Sequence, residues 1–337
     1  MKALVMREPG DVVIETVSDA VRTNDDVLLK VRMIGMCGTD LSSYRGKNPL
    51  ISFPRIPGHE VAATIAEPSK AHPELAAGMD VTVSPYFGCG RCPSCLRNRP
   101  NACQHNETLG VQRNGAMTEY IAIPAAKLYP ARLSIKELCL VEPLTIGFHS
   151  VSRGRVTAQD AVAVFGCGGV GLGAIAASGF RGARTIAVDV DDRKLGLARR
   201  AGATDTVNTT KEPLHEKLLE LTGGRGPDVI IEAIGLPQTF RSAVEEVAFT
   251  GRVVYIGYAK EPVAYETKLF VLKELDILGS RNALPEDFRE VIRMLEEQRF
   301  PVDEAVSAIV PLEQAPAMLK AWSENPTGFS KIMVRFD

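Results

Sequence analysis

The sequence has almost no surplus of charge of either sign: 39 lysines and arginines face 41 aspartates and glutamates, a formal net charge of -2. Without a basic excess, nothing is available to neutralise a run of phosphates, which excludes nucleic acid and other polyanions as partners. It also has no apolar run of about 18 residues, the length a membrane-spanning helix needs, so no membrane association is expected. The opening residues, MKALVMREPG, turn polar too early for a secretory leader, which makes the cytoplasm the expected compartment. Cysteine is scarce as well. Seven in 337 residues are too few for a disulfide framework, and clustered cysteines in a reducing compartment bind metal or do chemistry. No internal repeat or low-complexity segment is present.

What the sequence does have is the balance of an ordinary globular enzyme, with 45% hydrophobic and 24% charged residues. A chain of 337 residues exceeds what one core supports, so two domains are expected. Three zones can be read. Residues 1–150 hold short β-type runs at 27–31, 61–65 and 81–83, punctuated by turns such as Ile56-Pro57-Gly58, the pattern of a partly open β-barrel. Residues 151–284 alternate strand-like runs (161–165, 185–190, 229–232, 252–257 and 276–278) with helix-length segments, which implies βαβ units and a parallel sheet. Residues 285–337 contain a helix over 285–298, short mixed elements and a closing strand over 331–336.

The run 161–165 leads into Gly166-Cys167-Gly168-Gly169-Val170-Gly171 and then a helix-compatible segment over 172–180. This is G-x-G-x-x-G in the strand–turn–helix setting that a dinucleotide site requires. Gly166 permits the tight turn, Gly168 lets the backbone approach a pyrophosphate, and Gly171 allows close packing of helix on strand. Asp189 lies 18 residues past Gly171 and closes the next strand, where an acid binds ribose hydroxyls and disfavours a 2′-phosphate; it points to NAD. Arg193 is placed either to stack on the adenine or to be a solvated charge at a helix start.

Cys89, Cys92, Cys95 and Cys103 are spaced C-x2-C-x2-C-x7-C. Four thiolates so close in sequence suit a closed tetrahedral zinc site, with Zn–S near ~2.3 Å, that ties down a loop and leaves no position for substrate. An iron–sulfur cluster is the alternative for this spacing. A second set is scattered: Cys37 in Cys37-Gly38-Thr39-Asp40, His59 and Glu60 in Pro57-Gly58-His59-Glu60, and Glu142 before Pro143. A thiolate, an imidazole and a carboxylate suit zinc with an open fourth position. Each taken alone reads as a packed or hydrogen-bonded residue, so the reading rests on the combination.

The order of these motifs resembles the zinc-dependent medium-chain alcohol and polyol dehydrogenases over essentially the whole chain. That resemblance implies an α/β protein with a GroES-like, partly open β-barrel catalytic domain (1–150 with 285–337, binding zinc) and a Rossmann, doubly wound NAD-binding domain (151–284). It implies two zinc ions per chain, one catalytic and one structural, and a homodimer or homotetramer acting on a small-molecule alcohol. Cys37, His59 and either Glu60 or Glu142 would hold the catalytic zinc. Thr39 would take the alcohol proton, Asp40 would orient His59, and Cys89, Cys92, Cys95 and Cys103 would form the structural lobe. Within Gly166–Gly171, Gly169 and Val170 complete the cofactor turn.

A Glu at 142 is similar to the polyol, threonine and sugar-acid branch. Residues 53–60 and 279–288 resemble L-galactonate 5-dehydrogenase-like enzymes. The implied reaction is hydride transfer from a secondary alcohol, a polyol or L-galactonate-like sugar acid, to NAD. Alternatives are a threonine- or sorbitol-type dehydrogenase, or a catalytically silent NAD- and zinc-binding redox sensor. One departure from many relatives is Ser42, where a histidine would relay the proton to solvent. Ser42, Tyr44, Phe53, Arg113, Glu119, Arg281 and Asn282 are candidates for lining the substrate pocket.

Overall fold

A computed structural model describes residues 1–23 and 25–337 and groups them into two compact units. The first comprises Met1–Glu142, Leu284–Ile292 and Val302–Asp337. It is built on a seven-stranded sheet whose spine is the strand Asp26–Met36. Val27, Leu29 and Val31 point into the core, while Leu28, Lys30 and Arg32 between them are only half-buried, the period-two pattern of an extended chain. From Met33 to Met36 every residue is buried, and this is the end that delivers the functional residues.

The spine pairs antiparallel with Glu60–Glu67 along one edge. Along the other it pairs first with Tyr120–Pro124 and then with Ile332–Arg335. Ile34, Val61, Ala63, Ile65, Val334 and Trp322 belong to the core that this sheet encloses. The runs expected at 61–65 and 81–83 are strands Glu60–Glu67 and Asp80–Val83, and the helix expected over 285–298 spans Pro285–Glu296.

The second unit, Pro143–Ala283 with Arg293–Pro301, contains a six-stranded parallel sheet. Its spatial order is Asp205–Asn208, Arg184–Asp189, Ala161–Phe165, Val229–Glu232, Arg252–Tyr255, Asp276–Gly279. In chain order this reads 3-2-1-4-5-6, so the direction of winding reverses between Ala161–Phe165 and Val229–Glu232, the doubly wound arrangement that takes ligands at the carboxyl ends of its strands. Five of these strands are visible in the sequence as apolar runs. The edge strand Asp205–Asn208 reads Asp-Thr-Val-Asn and is not, because three of its four residues are polar.

The units change at Glu142, because the helix Ile135–Arg153 begins in one and ends in the other, and residues 293–301 group with the second. Among the described residues, no helix is long and apolar enough to cross a membrane.

Candidate functional site

Where the spine strand ends, Cys37 caps the short helix Gly38–Tyr44, and its N–H donates to Asp40 Oδ2 at 2.9 Å. One strand over, Gly35 lies opposite Glu60 in the antiparallel register. A Cβ at Gly35 would overlap Glu60 Oε2, so glycine is what allows this carboxylate to lie across the strand. His59 immediately precedes that strand. The register of two neighbouring strands thus gathers residues 37, 59 and 60, and their donor atoms lie within 4.8 Å of one another.

Partners of these groups divide sharply. Both oxygens of Glu60 accept from Lys331 Nζ, at 2.6 and 2.7 Å, with Glu60 buried and Lys331 nearly so. Glu142 is not part of the close group. It is buried on the helix Ile135–Arg153, where its Oε1 accepts from the Tyr86 hydroxyl. His59 Nδ1 is buried with no hydrogen-bond partner. Asp40, expected to orient His59, instead receives the Cys37 N–H. Thr39 Oγ1 lies 3.7 Å from Cys37 Sγ, and half-buried Ser42 follows one turn later on the same helix.

The electrostatics describe a site short of positive charge. Burial pulls the His59 imidazolium down, but Cys37, then Asp40 and Glu142, outweigh it and hold it well above its usual range. Burial raises Asp40, and it raises Glu142 to about 7 against the opposing pull of His59. For Lys331 the burial penalty is outweighed by Glu60 and Cys37, so its pKa rises. A thiol and three carboxyl groups thus face one ammonium and one imidazole. A divalent cation would restore the balance, and a sulfur, nitrogen and oxygen donor set with an unpartnered imidazole nitrogen fits zinc. Lys331 and Tyr86 are the residues that sequence reasoning missed. Neither belongs to a spaced motif, although a lysine heading the buried run Ile332-Met333-Val334 is itself a signal of a buried partner.

The four-cysteine lobe is assembled locally. The thiols of Cys89, Cys92, Cys95 and Cys103 lie within 4.8 Å of one another, and none forms a disulfide. Cys103 Sγ accepts from the N–H groups of Cys89 and His105, both at 3.3 Å. Backbone N–H groups of Cys95 and Gln104 aimed at Cys92 lower its pKa, whereas burial raises that of Cys95. Sulfurs surrounded by N–H donors are suited to be thiolates, as a closed metal site requires.

In the second unit, Gly166 takes φ +94°, a conformation that glycine adopts freely, and a Cβ at Gly171 would overlap the Gly166 carbonyl. The helix begins at Gly169, capped by Gly168, and runs Gly169–Phe180. That is three residues earlier than expected, because glycines hide a helix start from propensity. A Cβ at Gly168 or Gly169 would meet no side chain or distant backbone within 4 Å, so internal packing does not explain these two glycines, and the space before the helix N-terminus is left open. Val170 lies in the first turn of that helix. Asp189 is buried at the end of its strand. Its Oδ2 accepts from Cys167 N–H at 2.8 Å and its Oδ1 from Val190 and Asp191 N–H at 2.8 and 3.1 Å. Arg193 is exposed and pairs with Asp191 at 3.0 Å.

Most of the pocket candidates have structural tasks. Arg113 lies 4.0 Å over the Phe87 ring, Glu119 accepts from Lys2 N–H, and Tyr44 and Phe53 pack on the core. Arg281 and Asn282 are likewise engaged.

Comparison with known proteins places the chain in a family. Residues 23–133 match the alcohol dehydrogenase GroES-like domain and residues 169–297 the zinc-binding dehydrogenase domain. A zinc-type alcohol dehydrogenase-like protein of Haemophilus influenzae is 33% identical over 339 residues, covering 100% of this chain and 99% of its own. L-galactonate-5-dehydrogenase of Escherichia coli K12 is 30% identical over 304 residues, covering 90% and 89%. A crystal structure of an alcohol dehydrogenase from E. coli CFT073, complexed with NADH, superposes with a TM-score of 0.92 at 27% identity, covering 100% and 99%. The chain belongs to the zinc-type medium-chain alcohol dehydrogenases, oxidoreductases that use zinc and NAD(P).

Proposed function

We propose that Cys37, His59 and Glu60 hold a catalytic zinc, that Cys89, Cys92, Cys95 and Cys103 hold a structural one, and that the enzyme takes hydride from the secondary alcohol of a polyol or sugar acid to NAD. The observation that carries this reading is the meeting of a thiol, an imidazole and a carboxylate within 4.8 Å. Relatives named for L-galactonate, sorbitol and L-threonine support a substrate with a secondary carbinol beside other polar groups. The carboxyls of Glu60 and Glu142 differ in role: Glu60 is the donor, and Glu142, held by Tyr86, stands beside it.

Zinc bound there supplies Lewis-acid chemistry at the alcohol oxygen. Thr39, beside Cys37, accepts a hydrogen bond from the alcohol hydroxyl and takes its proton. Ser42, on the same helix face, carries that proton outward in place of the histidine of other family members. Asp40 holds the Cys37 backbone and so fixes the thiolate's direction. In the second unit, Gly168 and the helix N-terminus receive the pyrophosphate. Asp189 accepts from the ribose hydroxyls and repels a 2′-phosphate, which favours NAD over NADP.

The test is metal analysis of the purified chain together with a panel of polyols, sugar acids and L-threonine, each offered with NAD and with NADP and followed by nicotinamide absorbance. About two zinc ions per chain and NAD-linked turnover of a polyol or sugar acid are expected. A single zinc with no turnover of any alcohol refutes the catalytic assignment.

A further inference from the structure

Glu232 ends the strand Val229–Glu232 and is fully buried, yet it belongs to neither metal-ligand group and lies outside the Gly-rich turn. In the parallel register it stands beside Phe165, the residue that feeds that turn. Its Oε1 accepts three hydrogen bonds: from Ile234 N–H at 3.0 Å, Gly235 N–H at 2.8 Å and the Thr239 hydroxyl at 2.7 Å. Its Oε2 is equally withdrawn from solvent and accepts none. Residues 233–236 are therefore wrapped around one carboxylate.

The wrap is tight on two further sides. A Cβ at Gly166 would come within 2.6 Å of Ile234 Cγ1, and one at Gly257 within 2.5 Å of both Glu232 Oε2 and Gly235 N. Despite this close seating, Ile234 and Leu236 leave 43% and 54% of their surface bare. Two large apolar side chains thus flank the point where the winding of the sheet reverses, the crevice in which such sheets seat dinucleotides. Asp189 assigns the adenosine to the half containing Arg184–Asp189. The half made of Val229–Glu232, Arg252–Tyr255 and Asp276–Gly279 is left for the nicotinamide nucleotide.

A buried carboxylate with an unpartnered oxygen is expensive, and a neutral acceptor would hold the same turn at lower cost. What the charge alone can do is distinguish two states of a nearby ring, because oxidised nicotinamide is a cation and reduced nicotinamide is neutral. We propose that Glu232 is a positioning residue whose buried negative charge, fixed by the turn 233–236, favours the oxidised nicotinamide ring over the reduced one. The inference rests on NAD(P) occupying this crevice. Glu232 touches neither substrate nor ring. It acts through the field it sets at the carboxyl end of the strand and through the turn it holds.

The experiment is isothermal titration of the zinc-loaded full chain with NAD+ and with NADH. E232Q keeps an acceptor for the three donors and removes the charge. It is expected to weaken NAD+ by about fivefold while NADH stays within about twofold, with no fall in melting temperature. T239V leaves the charge and removes the hydroxyl that partly neutralises it, so it shifts the ratio the other way, toward NAD+; it decides the matter if E232Q does not fold. A ratio unmoved in both variants overturns the proposal. So does an equal loss for both redox forms accompanied by a lower melting temperature, which assigns Glu232 to structure alone. Failure of the unaltered chain to bind either nucleotide refutes the crevice itself and is distinct from both.

Discussion

The two candidate metal-ligand groups differ in how far the chain travels to build them. The four-cysteine lobe closes within residues 89–103, held by its own backbone N–H groups. The Cys37, His59 and Glu60 group depends on strand register, on a glycine that gives a carboxylate room, and on a lysine 271 residues away in sequence. A local site can be lost without moving the sheet, whereas the assembled site fails if any of several distant pieces shifts.

The largest effect separating them is on turnover. Cys37→Ser or His59→Ala should cost well over ~100-fold in kcat, since even outer partners of a metal ligand are worth ~10–100-fold, while the melting temperature stays near that of the parent. Steady-state kinetics beside a thermal melt checks this, and retained activity in either variant removes the zinc assignment. Next is Cys92→Ser, for which the order reverses: metal analysis should find about half the zinc gone and the melt lowered, because a structural site contributes its binding energy to the fold. Unchanged zinc content and melting would show that the lobe holds no metal.

A smaller effect probes the assembled character directly. Gly35→Ala pushes a methyl group into Glu60 Oε2 and should destabilise by about 1–3 kcal/mol, with catalytic zinc released faster to a chelator. A variant with parental stability and zinc release would mean that the carboxylate has room to spare.

The smallest is a pH effect in the metal-free protein. Glu142 ionises near 7 when folded and near 4.5 when unfolded, so between these values the unfolded chain sheds the proton first. Stability therefore falls as pH rises through that window, and Glu142→Gln should flatten the fall. Equal slopes in parent and variant, measured by melting temperature against pH, would contradict it.

The same contrast explains what could be read from sequence. The cysteine spacing and the glycine turn are local patterns in which the chemistry fixes the spacing, so residues 89–103 and 166–171 announce themselves. Cys37, His59 and Glu60 are legible only as short motifs in a particular order, and their meeting is a product of pairing between two strands. Which of Glu60 and Glu142 lies close to them is invisible along the chain, because it follows from strand register and from partners such as Lys331 and Tyr86, single residues drawn from other strands. Asp205–Asn208 escapes for a different reason: an edge strand with polar side chains presents no hydrophobic period to detect. The turn around Glu232 is hidden likewise, since nothing in Glu-Ala-Ile-Gly tells that three donors converge on one oxygen.

The interrupted first unit has a consequence for synthesis. Its sheet takes the strand Ile332–Arg335, with Lys331 just ahead of it, from beyond the entire dinucleotide unit. On the ribosome, residues 143–301 emerge whole while the first unit's sheet still lacks the strand that pairs with the end of Asp26–Met36, and the ammonium that faces Glu60. The group of Cys37, His59 and Glu60 thus gains its last buried partner, Lys331, only as the final strand is made.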